Sequence, residues 1–473
     1  MFRRRMTRSF LFVSSFLVLS LFVQPLIANA ASLIQLSSDP FTNSSSQHKT
    51  EVEPDTFSFG STIVSAFQTG RIFGGGSADI GWATSNDNGA TWSNGFLPGT
   101  TVFATPPGPF SAISDPSVAY DAAHHTWLIL SLAITSNQTV VVSRSTDNGH
   151  TWSNPISVAA GSLDKTWIVC DDTATSPFYG HCYTEWDNTS AGNLLQMSTS
   201  TNGGQTWSSP KAPSGGFHGL GGQPLVRPNG TVVVPYESTD SSSIRAFTST
   251  NGGSSWNRPV VISSATDHGV SGLRTEALPS AEIDSAGKVY VVWQDCRFEP
   301  GCASNDIVMS TSTNGTRWSA VTRIPLDPVG SGIDHIIPGL GVDRTTSGSS
   351  AHLALAYYYC SSTCQLQVGF VSSTNGGSTW SAKTTLTSTP MPLTWFANTN
   401  QGRMVGDYIS TSISSNGRAF PVFAVATAPS GSTFNESMFT AAGGLAVVRG
   451  AIRVGADRVL STTSTPARSH TVR

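Results

Sequence analysis

STNGGSTW, Ser373 to Trp380, is one of six versions of a single phrase in this chain. The others are SNDNGATW (Ser85 to Trp92), STDNGHTW (Ser145 to Trp152), STNGGQTW (Ser200 to Trp207), STNGGSSW (Ser249 to Trp256) and the one-residue-shorter STNGTRW (Ser312 to Trp318). Their tryptophans stand 60, 55, 49, 62 and 62 residues apart, a period that belongs to repeated supersecondary units. Each phrase reads as a turn. Asp or Asn caps backbone N–H groups, Gly takes the positive-φ position, and Trp plugs the apolar layer between neighbouring units.

A second element precedes each turn: DPSVAYD (Asp115 to Asp121), DKTWIVCD (Asp164 to Asp171), QPLVRPNG (Gln223 to Gly230), LPSAEIDSAG (Leu278 to Gly287) and IPGLGVD (Ile337 to Asp343). A β-branched or aromatic strand follows it, then a third strand into the turn, and an alternating fourth strand after the Trp. Four antiparallel strands per 50 to 60 residues define a β-propeller blade. Innermost strands are expected near Glu53, Asp115, Lys165, Gln223, Leu278, Ile337 and Tyr408, which gives seven blades. The last unit lacks both the turn phrase and a fourth strand, and SLIQLSSDPF (Ser32 to Phe41) is expected to supply that strand and close the ring. Six blades with an irregular C-terminal region is the competing count.

Composition agrees with an all-β fold. Of 473 residues only 12% are charged, with 26 Lys+Arg against 29 Asp+Glu, and the 45 glycines and 26 prolines are aperiodic. That balance argues against a nucleic-acid partner, because no Lys/Arg stripe is present. Arg3, Arg4, Arg5 and Arg8 precede an apolar run from about Phe10 to Leu26 and the small-residue site Ala28-Asn29-Ala30. Residues 1–30 therefore read as a secretory signal, 31–459 as one propeller domain and 460–473 as a flexible tail, with an uncleaved signal anchor as the alternative. No later run is long enough for a stable membrane span. The six cysteines fall into close pairs, Cys170/Cys182, Cys296/Cys302 and Cys360/Cys364, and are expected to form sequential disulfides in a secreted, extracellular protein.

The turn phrases resemble the Asp-box (BNR) repeat superfamily, whose best-known members are the sialidases, over about residues 33 to 450. The resemblance implies a glycan-active hydrolase with three arginines around a sugar carboxylate, a Tyr nucleophile paired with Glu, and an Asp acid/base. The F/Y-R-I-P segment of sialidases does not occur here. By their order and placement, Tyr408, Glu276 and Asp115 are the catalytic candidates. Arg71, Arg274, Arg297 and Arg403 are the candidate carboxylate ligands, since guanidinium groups bind carboxylates bidentately. Asp334 and His335 lie near another strand head, and Trp395 is a candidate stacking surface. Arg297 and Arg403 have a structural alternative, bracing loops through carboxylates such as Asp295 and Asp407. The expected partner is a carbohydrate, an acidic glycan in particular. No cofactor or catalytic metal is expected, and structural calcium has no specific signal. The competing functions are a polysaccharide lyase acting on uronates, through His335 or Tyr408, and a non-catalytic glycan- or protein-binding propeller.

Overall fold

The computed structural model describes residues 31–454, so the signal segment at 1–30 and the tail at 460–473 lie outside the described residues. Within them the chain is all-β, with seven successive antiparallel units. The first holds Glu51–Phe59, Thr62–Arg71, Ser77–Ser85 and Ser93–Phe96. The second holds Ala112–Asp121, Thr126–Ile134, Gln138–Ser145 and Ile156–Gly161, and the single pair Ser77↔Ile113 links the two. The third has Leu163–Cys170, Cys182–Asn188 and Leu194–Ser200. The fourth has Leu225–Val226, Val232–Glu237, Ser243–Ser249 and Val260–Ser264. Ser280–Ile283, Val289–Asp295, Asp306–Ser312 and Thr322–Arg323 make the fifth, and Asp334–Val342, Leu353–Cys360, Gln365–Ser373 and Thr384–Thr385 the sixth. In the seventh, Ser410–Ile413, Arg418–Ala426 and Glu436–Ala441 are joined by Leu33–Gln35 from the start of the chain, in the register Leu33↔Ala441 and Gln35↔Phe439.

The turn phrases form the expected caps. In the second unit Asp147 Oδ1 accepts the backbone N–H groups of His150 (3.2 Å) and Thr151 (2.9 Å), and the Thr151 hydroxyl donates to Oδ2 at 2.6 Å. Gly149, at φ +79°, donates its N–H to Ser145 Oγ. Trp152 is buried and packs 6.4 Å from Trp82 of the first unit. The three disulfides join Cys170–Cys182, Cys296–Cys302 and Cys360–Cys364, the sequential pairing.

First strands of successive units stand side by side, and Ser410–Ile413 of the seventh lies against Glu51–Phe59 of the first. Inward polar side chains tie them together. Val118 N–H donates to Asp55, Lys165 N–H to Asp115, Ala281 N–H to Gln223 and Leu340 N–H to Ser280. All seven first strands or their lead-ins contribute to one cavity, through Asp55, Val118, Trp167, Gln223, Ser280, Leu340 and Ser410 among others. The turns after the first strands share a side with the turn phrases, since Asn88 N–H donates to Ser61 O. That side is called lower here, and the side where first strands begin is upper.

Candidate functional site: the upper mouth

Four first strands change register where they begin, between Val52 and Asp55, Ser114 and Ser117, Asp164 and Trp167, and Ile336 and Gly339. Each bulge holds a non-glycine residue in the left-handed region: Glu53 (φ 60°), Asp115 (47°), Lys165 (52°) and Ile337 (50°). Such backbone costs about 1–3 kcal/mol per residue and persists only where surroundings fix it. Here the bulges bring Glu53, Asp115 and Lys165 into one buried polar network.

At its centre is Asp407. Arg274 Nε donates to Asp407 Oδ1 at 2.6 Å, while Arg274 Nη2 and Lys165 Nζ both reach Oδ2. Against burial, which pushes it up, Arg274 and then Lys165 hold the Asp407 carboxyl well below the usual carboxylate range. Glu53 goes the other way. Burial first, then Asp407 and Asp115, raise it to about 8, so it is a neutral carboxyl at pH 7. Gln68 Nε2 donates to Glu53 and to Ser114 Oγ (3.2 Å), and the Ser114 hydroxyl donates to Asp115 Oδ1 at 2.9 Å. Among the described residues, Arg274 Nη1 has no protein partner, and Lys165 Nζ has only Asp407. The two cations thus keep donors to spare. A small, largely apolar cavity adjoins Lys165, lined also by Trp167, Gly221, Gly222, Leu278, Pro279 and Tyr408.

The structure gathers some predicted residues and separates others. Arg274, Asp115 and Tyr408 belong to the mouth, and Glu276 is exposed on the same lead-in as Arg274, close enough for its charge to act on that guanidinium. Tyr408 is buried; its hydroxyl donates to Pro116 O at 2.9 Å and its ring meets Trp167 edge-on at 4.9 Å. Burial, then neighbouring carboxylates, push its phenol well above the ordinary tyrosine range. Arg71 is buried beside the network. It donates to the carbonyls of Ile72 and Gly76, and burial followed by Arg274 lowers it to about 10.

Arg297 and Arg403 make different contacts. Arg297 clamps Asp295 through Nε (2.8 Å) and Nη2 (2.6 Å) and reaches Ser263 Oγ, which is the bracing alternative. Arg403 donates to Phe396 O and faces the Phe434 ring, while its backbone pairs with Gly272 and Arg274. Asp407, expected to brace Arg403, binds Arg274 and Lys165 instead. Arg71 lies within charge range of Arg274, and Arg403 and Arg71 both act on the buried carboxyl of Glu436. Asp334 accepts from Asn305 N–H and contacts His268; His335 is buried, with both ring nitrogens engaged by Asp327 and Asn305 O; Trp395 sits half-buried against the core.

Sequence reading missed Gln68, Glu185 and Glu237. Both carboxylate oxygens of Glu185 and of Glu237 are buried without a hydrogen-bond partner among the described residues. Burial and then the charge of Glu276 raise Glu237 to about 8. Acidic residues inside otherwise apolar second strands, CYTEWDN and VVVPYE, were the available signal.

Residues 178–339 match the family model of the BNR repeat-like domain. None of the curated proteins matches the sequence. Among solved structures, the Hadza microbial sialidase Hz136 is 17% identical with a TM-score of 0.44, over 65% of this chain and 63% of that one, so the chain spans less than two thirds of that sialidase. The NanB sialidase from Streptococcus pneumoniae is 13% identical, with a TM-score of 0.45 over 87% of this chain and 70% of that one. A polysaccharide lyase, the PL25 ulvan lyase bound to -[GlcA(1-4)Rha3S]-, is 10% identical with a TM-score of 0.52, over 89% of this chain and 98% of that one. At such identities similarity speaks to fold alone. Residues 178–339 thus resemble the BNR repeat-like domain, within an all-β chain whose fold is similar along most of its length to that of a polysaccharide lyase.

Proposed function

We propose that the seven units are blades of a closed propeller and that the protein is a secreted, glycan-active enzyme taking an acidic sugar at the upper mouth. The observation that carries this reading is the pair of cations, Lys165 and Arg274, sharing one carboxylate while keeping unused donors, with a small apolar cavity next to Lys165. A sugar carboxylate would take those donors, and Trp167 with Pro279 would wall its ring. Three disulfides support an oxidising compartment.

Glycoside hydrolysis is the favoured reaction. It needs two carboxyl groups of opposite protonation. Glu276 is exposed beside Arg274, and Glu237 keeps its proton at neutral pH partly because of the Glu276 charge. Asp115 serves the site through Lys165, whose backbone it holds. In this reading Tyr408 is a wall of the cavity. Elimination from a uronate is the second reading, favoured by Lys165 and Tyr408 lining one cavity, next to which a neutralised carboxylate would sit.

Arg274→Met should weaken binding of a glucuronate-containing oligosaccharide about 10- to 150-fold, the loss of about 1.5–3 kcal/mol of charge-assisted hydrogen bonding. Tyr408→Phe should leave turnover within a few-fold. Calorimetry on the folded variants and mass analysis of the products decide it. A reducing sugar with water incorporated means hydrolysis, and an unsaturated uronate means elimination. Unchanged binding by the Arg274 variant rejects the site.

A further inference from the structure

The lower mouth holds a second cation with spare donors. Arg344, 35% exposed, follows the first strand of the sixth unit; its guanidinium stands 4.6 Å from the Phe57 ring, and its nearest carboxylate oxygen, Glu282 Oε2, is 3.5 Å away. No other protein acceptor engages it among the described residues. Burial pushes the Glu282 carboxyl up while Arg344 draws it down, and the Arg344 charge also reaches Asp172. Phe57, Glu282 and Arg344 together wall the lower end of the central cavity.

Beside this mouth two aromatic rings face solvent. Phe59, 42% exposed, lies over Tyr120 with centroids 4.5 Å apart. Tyr179, 37% exposed, comes from the loop closed by Cys170–Cys182 and lies near Tyr120 as well. Phe57 and Phe59 are two residues apart on one strand, so they share a face. An isolated exposed aromatic needs no explanation, but two exposed rings gathered on Tyr120, one of them two residues along the strand from the Phe57 that Arg344 covers, form a mixed surface. Flat apolar rings suit the C–H face of a pyranose, and a guanidinium with free donors selects an anion.

We propose that the lower mouth is a second saccharide site, which takes an acidic sugar residue with its carboxylate on Arg344 and its ring against Phe59 and Tyr179. It lies on the opposite side from the upper mouth and does not depend on the chemistry there. A polymeric acidic glycan would be held at this site independently of any residue being processed above.

Isothermal titration of the full-length protein with a glucuronate tetrasaccharide, and with a neutral tetrasaccharide of equal length, tests the proposal. Wild type should bind the charged probe at two sites. Arg344→Met should weaken one of them at least about tenfold. The double variant Phe59→Ser/Tyr179→Ser, altered only at exposed positions, should weaken the same one, while Arg274→Met weakens the other. The proposal is overturned by wild-type affinity and stoichiometry in both lower-mouth variants, by equal binding of the neutral probe, or by no binding to wild type. If the Arg344-sensitive site persists while Arg274→Met changes nothing, the upper-mouth reading fails and this one stands.

Discussion

Arg274 and Arg297 are the same side chain, drawn from lead-ins and loops of the same unit, yet only one has a guanidinium edge to offer. Arg297 spends its donors on Asp295, Ser263 and the Ser264 carbonyl, whereas Arg274 leaves Nη1 without a protein partner among the described residues. Asp295 is fully buried and also accepts from Trp293 Nε1 and Thr266 N–H. Arg297→Ala should therefore cost about 1.5–3 kcal/mol of stability, by removing charged hydrogen bonds from a carboxylate that keeps other donors. The urea midpoint should fall at unchanged slope, and affinity for an acidic glycan should stay at its wild-type value. A loss of affinity without a loss of stability would return Arg297 to the binding site.

At the scale of the element, the turn phrase works because three residues have separate duties. Asp or Asn collects N–H groups, Ser caps from the strand end, and Gly provides both a left-handed backbone and an absent side chain. Gly89 stands at φ +79°, and a Cβ there would come 2.1 Å from a Phe420 ring carbon of the seventh unit. Gly89→Ala should destabilise by about 2–4 kcal/mol, combining left-handed strain with overpacking. Gly60 has φ +61° but open space around it, so Gly60→Ala should show the backbone part alone, about 1–2 kcal/mol. Paired chemical denaturation curves separate the two contributions. Equal losses would mean that the Phe420 contact gives way freely.

Across the whole molecule, buried acids set the response to pH. Burial is the largest cause of the rise of Glu51, Glu53 and Glu237 to about 8, from an ordinary value of 4.5. A folded state that holds protons more tightly than the unfolded chain is most favoured below pH 4.5, and loses that contribution as pH rises toward 8. Asp407 acts oppositely, but its contribution is lost only below the ordinary carboxylate range. The melting temperature should therefore fall steadily from pH 5 to pH 8, and Glu51→Gln should flatten the slope. A rising or flat profile in wild type would contradict the neutral-acid assignment. Pairing of the chain's start with the seventh unit is the second global property. Leu36 is fully buried and its N–H donates to Met438 O, just beyond the Leu33–Gln35 ladder. A protein beginning at Ser37 should lose about 3–5 kcal/mol from those hydrogen bonds and the missing leucine, measured against one beginning at Ala31.

The sequence by itself determined the repeat, the turn chemistry, the strand-rich units and the three cysteine pairs, because each is written in residues close along the chain. Period, capping side chains, glycine positions and short cysteine spacing all act locally. The partner of each charged side chain was decided only by tertiary structure. Asp407 meets Lys165 and Arg274 because bulges and lead-ins from distant units converge on one mouth. Tyr408 stands at the predicted strand head, but its hydroxyl ends on Pro116 O in the second unit. Gln68 joins the mouth network because it reaches both Glu53 and Ser114 Oγ of the next unit. A carboxylate's protonation and a guanidinium's freedom depend on burial and on neighbours hundreds of residues away, and that information enters only when the first strands pack side by side.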